Sequence, residues 1–139
     1  MKLSKILLTA VGTTAVALFS SFLLLPENSG YFGLFLIGVS PLFVVIFIVW
    51  NYILNFLVSV KPFFRHFISK FLLTFLFAYF VTILSSYFIA SDSYGYDFSD
   101  FKDDTLDILQ EFSVFICVIM TTAAHSILVY FADQKNAEK

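Results

Sequence analysis

The chain has a single cysteine, Cys117, which excludes an intramolecular disulfide, a C-x-x-C redox pair and a cysteine-based zinc site. Charge is nearly as scarce: Asp, Glu, Lys and Arg make up 13% of 139 residues against 60% hydrophobic ones, and the mean hydropathy is +0.92. Soluble domains carry about a quarter charged residues, so this composition suits lipid rather than water. A net charge of −2 with scattered cations gives nucleic acid nothing to bind. No H-E-x-x-H, Walker A or G-x-G-x-x-G sequence occurs, which argues against zinc proteolysis, P-loop phosphoryl transfer and dinucleotide redox chemistry, and no motif calls for a cofactor.

What the chain does have is four apolar segments, at 6–25, 31–50, 71–90 and 112–132. Each has about the ~20 residues with which a helix crosses a ~30 Å hydrocarbon layer. The expected fold is therefore all-α, a polytopic four-helix transmembrane bundle, with 1–139 forming one membrane domain. The 20 phenylalanines are spread over every span, as lipid-facing and interhelical packing requires, rather than gathered at one site. Lys2 and Lys5 followed by an apolar run and Ala15-Val16-Ala17 have the outline of a signal peptide. Cleavage there would split the apolar run and leave Leu18 to Leu25 as a new terminus, so an uncleaved first span is expected.

Seven of the eight basic residues fall in three places: Lys2 and Lys5, then Lys61, Arg65 and Lys70, then Lys135 and Lys139. With four spans these regions share one side, and the positive-inside rule makes it cytoplasmic, with both termini inside. Eight of the ten acids (Glu27, Asp92, Asp97, Asp100, Asp103, Asp104, Asp107 and Glu111) then face outward. Ser29, Tyr94 and Ser99 should be reachable from outside, Ser69 and Asn136 from inside. Tyr31, Trp50, Tyr52 and Tyr130 stand where interfacial aromatics belong. The apolar stretch from Tyr31 nevertheless continues to Val60, too long for one perpendicular span. Tilt, a kink at Pro41, or a bend near Asn51 and Asn55 that lays 53–60 along the membrane surface would each absorb the excess. The region 51–70 is accordingly expected as a partly interfacial inner loop, and 91–111 as an acidic outer one.

Helices in lipid gain little from apolar burial against one another, so small residues and interhelical hydrogen bonds mark their contact faces. Thr9, Thr13, Ala17 and Ser21 form such a stripe in the first span, with Gly12 and Ser20 nearby; Ser113, Cys117, Thr121 and His125 form one in the last. Thr74, Ala78, Thr82 and Ser85 serve the third span, and Gly33 and Gly38 allow another helix to approach the second. Phe75, outside the third stripe, is expected to face lipid.

His125 is the one ionisable residue well inside a span, which makes it a candidate proton relay, metal ligand or substrate contact; alternatively, a neutral imidazole simply bonds to a neighbouring helix. Ser40 and Asn51 are the other candidate polar positions with Thr121. Asp100, Asp104, Asp107 and Glu111 lie at i, i+4, i+7 and i+11 on one face of a helix running into the last span, with Phe98, Phe101, Ile108 and Phe112 on a second face. A surface helix with its acids in water is the expected form, and weak divalent-cation binding is the alternative.

Gly38-Val39-Ser40-Pro41 together with His125 resembles the serine–histidine pair of rhomboid-type intramembrane proteases, though the motif departs from theirs at its last glycine. That resemblance implies, as a remote alternative, a hydrolase using Ser40 and His125. In layout, with MKLSKILLTA leading the first span, a KPFFRHFISK inner turn, the acidic outer loop and a short DQKNAEK tail, the chain is similar to the small four-span membrane proteins of Bacillus-type bacteria. The likeness implies a plasma-membrane location and no particular activity. The leading functional expectation is a non-enzymatic accessory protein whose partners are the lipid bilayer and another membrane protein or a second copy of itself. An oligomeric small transporter or channel is the alternative.

Overall fold

The computed structural model describes residues 3–24, 30–90 and 97–137. Lys2, Glu27, Ser29, Asp92, Tyr94 and Lys139, which enter the topology reading, lie outside them. The described chain is all-helical: α1 (Leu3–Leu24), α2 (Gly30–Val60), a 3₁₀ turn (Pro62–Arg65), α3 (Phe67–Ala90), α4 (Phe98–Gln110) and α5 (Phe112–Ala137). Within α1, α2, α3 and α5 the segments Leu3–Leu24, Gly38–Val60, Phe67–Ser85 and Phe112–Asp133 are each long and apolar enough to cross a membrane. These helices correspond to the four segments read from the sequence.

Helix α2 takes up the long apolar stretch whole. Its 31 residues, ~46 Å at 1.5 Å per residue, run through Pro41, Asn51 and Asn55 without a break, so residues 51–60 continue the helix. The Asn51 amide, which could have ended the helix by capping, instead donates back to the Phe47 carbonyl at 2.8 Å. The helix stops where sterics require it. Lys61 precedes Pro62, whose ring excludes the helical conformation from its predecessor, and Lys61 is extended at φ −134°, ψ 125°.

Helices α1 and α5 lie antiparallel and in close contact. Lys5 Nζ donates to the Ala132 carbonyl near one end, Gly12 faces Leu128, and Ser20 and Ser21 stand near Cys117 towards the other. A Cβ on Gly12 would come within 2.8 Å of a Leu128 methyl, so the glycine lets the two helices approach this closely. Helix α1 also packs on α2, and α3 on α5. The remaining side, between α2 and α3, is filled by large rings. Trp50 stacks on Phe77 with centroids 4.1 Å apart and planes within 5°, and its Nε1–H donates to Thr74 Oγ1 at 3.1 Å. Phe47 meets Phe77 edge-on at 6.3 Å.

Three expectations need correction. Most stripe hydroxyls do not bridge helices: Thr9, Thr13, Thr82 and Thr121 each donate to the carbonyl four residues back in their own helix, while Thr74 accepts across helices, from Trp50. Phe75 is not simply lipid-facing; it packs edge-on against Tyr79 of its own helix and Phe115 of α5. The acidic helix does not run into the last span. Glu111 is extended at φ −73°, ψ 117° and separates α4 from α5, a break that accompanies packing of Phe101 on Tyr87 and of Ile108 on the Ala78, Tyr79, Val114 and Val118 cluster.

Candidate functional site

The start of α3, the start of α1 and the end of α5 meet at one end of the molecule. Lys70 Nζ pairs with Asp133 Oδ2 at 3.1 Å, and Lys5 binds the α5 backbone beside it. Just inside this end lies a cavity of about 180 Å³, framed by Arg65 of the 3₁₀ turn, Phe67 and Lys70 of α3, and His125, Ser126 and Asp133 of α5. His125 is 1% exposed, its ring 6.0 Å from that of Phe47, and its Nε2 has no hydrogen-bond partner. The buried hydroxyl of Ser126 beside it is also unpartnered, as are those of Thr122 and Thr14. A buried polar atom left unsatisfied costs about 1–3 kcal/mol, so among the described residues the group around His125 is a costly polar feature of the interior.

Ser40 is not brought to His125. It lies half-buried on α2 seven residues before Phe47, about 10 Å along the helix from the level at which His125 packs, whereas a nucleophile and its base must approach to about 3 Å. Asn51 is buried one turn beyond Phe47 and is satisfied by its own helix. Thr121 is likewise buried and bonded within α5. Of the packing positions, Thr9, Thr13 and Cys117 are buried and Ala17 and Ser21 are half-buried.

Compared with known protein families, with curated proteins and with solved structures, the chain matches none of them. What it can do must therefore be read from its own side chains. At the far end, the acids of α4 do not converge. Asp100, Asp104 and Asp107 spread over ~10 Å of helix with Glu111 on the extended residue beyond it, and Asp100 accepts the Asp97 amide in a capping box. Among the described residues no three of His, Cys, Asp and Glu stand close enough to hold a metal ion.

Arg65, Ser126 and Asp133 were not singled out as site residues from the sequence. Ser126 and Thr122 form a second i, i+4 polar pair beside the Thr121–His125 stripe, the one sequence signal that marks this corner. Nothing in the spacing of Arg65 and Asp133 announces that the fold places them around one cavity.

Proposed function

We propose that the chain is a non-enzymatic protein of the plasma membrane that crosses it four times, keeps both termini in the cytoplasm and acts by binding another membrane protein. The orientation is supported by the charge distribution: Lys5, Arg65 and Lys70 gather at one end of the helices, while the acidic helix α4 connects α3 to α5 at the other. The observation that carries the binding reading is Gly38. A glycine inside a helix costs about 1 kcal/mol relative to alanine, a cost usually offset where it lets another helix come close. Gly12 is used this way against Leu128. Gly38 is exposed on α2, and among the described residues nothing beyond its immediate neighbours and its own helix backbone lies within 4 Å of where its Cβ would be, so a helix from another molecule is the natural occupant of that notch.

Affinity purification of the tagged chain from its native membrane tests this. The expected result is a stoichiometric foreign membrane protein, lost with Gly38→Leu and retained with Leu76→Ala on the exposed face of α3. Recovery of a homo-oligomer alone would contradict the accessory reading and favour an oligomeric transporter or channel. A monomer without any partner would contradict both.

A further inference from the structure

We propose that the cavity between the 3₁₀ turn, α3 and α5 binds a phosphate-bearing anion, with Arg65 and the His125–Ser126 pair as its ligating groups. Three independent features of the cavity point to this chemistry.

The first is its unmet hydrogen-bonding capacity. His125 and Ser126 both line the cavity, are buried, and carry polar atoms with no partner in the protein. A neutral imidazole and a hydroxyl can each donate one hydrogen bond, and a phosphate offers several acceptor oxygens. The second is charge. Asp133 is already paired with Lys70, while Arg65 makes no ion pair among the described residues; its planar fork is the side chain best matched to two phosphate oxygens. The cavity's charged side chains therefore leave one positive charge over. Phe67 opens α3, a helix of 24 residues, so the positive end of that helix also stands at the cavity.

The third is size and wall chemistry. A volume of about 180 Å³ is that of roughly six liquid waters at ~30 Å³ each, enough for a phosphate and its ester carbons. Leu54, Phe67 and Val129 supply an apolar wall beside the polar groups, which suits a phosphodiester carrying hydrocarbon better than a fully hydrated ion. The shared chemistry is the phosphate group, and its source is either a phospholipid headgroup or a free phosphate.

Native mass spectrometry of the full chain released from nanodiscs of phosphatidylcholine mixed with phosphatidylglycerol separates these cases. One phosphatidylglycerol should be retained per chain in preference to phosphatidylcholine. Arg65→Gln, at an exposed position, should lower that retention about tenfold, and Ser126→Ala should lower it by a smaller factor. Lys61→Gln removes a cation from the same end of the molecule but outside the cavity and should leave retention unchanged. Retention that resists millimolar inorganic phosphate identifies the lipid headgroup as the source; displacement by inorganic phosphate identifies the free ion. Retention of both lipids to the same extent, retention of neither lipid together with no bound inorganic phosphate, or equal losses from Lys61→Gln and Arg65→Gln would overturn the proposal and leave the cavity to water.

Discussion

A threonine hydroxyl buried between apolar helices needs an acceptor, and Thr13 finds it one turn back at the Thr9 carbonyl, 2.7 Å away. Its proton is satisfied within α1, so what it contributes to the seam is smallness. Thr13 is 0% exposed, and a leucine there would have to displace its neighbours at about 1–3 kcal/mol. Thr13→Leu should therefore lower the thermal unfolding midpoint of the detergent-solubilised chain, while Leu76→Ala, at a residue 65% exposed, should leave it nearly unchanged. Equal midpoints for the two variants would remove the assignment of these faces. The small-residue stripes were legible because close approach demands small side chains. Phe75 was misread for the complementary reason: where helices stand further apart the contact is made by rings, and a phenylalanine pointing at a neighbour has the same spacing as one pointing at lipid.

Among the elements, α4 depends most on local chemistry. None of its residues is buried, and its first turn is held by Asp97, whose carboxylate accepts the amides of Ser99 at 2.7 Å and Asp100 at 3.1 Å while Asp100 returns a bond to the Asp97 amide. Asp97→Ala should cost this helix about 0.5–2 kcal/mol, read as roughly two- to thirtyfold faster hydrogen exchange at the Ser99 and Asp100 amides. Exchange in the middle of α5 should not change. If the first turn of α4 exchanged at the same rate with and without Asp97, the capping box would not be what orders it. The acidic periodicity of α4 could be read directly, but its boundary with α5 could not, since no glycine or proline stands at Glu111. The end of α2 was not read from the sequence either: the span was bounded at residue 50 with 51–60 left open, whereas the helix runs on to Val60, just before Lys61-Pro62. The polar Asn51 and Asn55 suggested a bend that the helix does not need, because the Asn51 amide bonds to its own backbone.

At the scale of the whole molecule, length and hydropathy made the four long helices legible, and charge placement made their common ends legible: Lys5, Lys70 and Asp133 do gather at one end. The cavity was not legible. It joins Arg65 and Lys70 to His125, Ser126 and Asp133, residues some sixty positions apart whose meeting depends on how α3 settles against α5. The central claim is that this basic end faces the cytoplasm and the acidic helix faces outward. Cysteine accessibility tests it most directly, in a background where the buried Cys117 is replaced by alanine. Ser69 suited the sequence as an inner reporter but is buried at the start of α3, and the Asn136 side chain lies outside those described; the exposed His66 takes their place. Ser99→Cys should be labelled by a membrane-impermeant maleimide in intact cells, and His66→Cys should remain unlabelled until the cells are lysed. Labelling of His66→Cys in intact cells, with Ser99→Cys protected until lysis, would contradict the account.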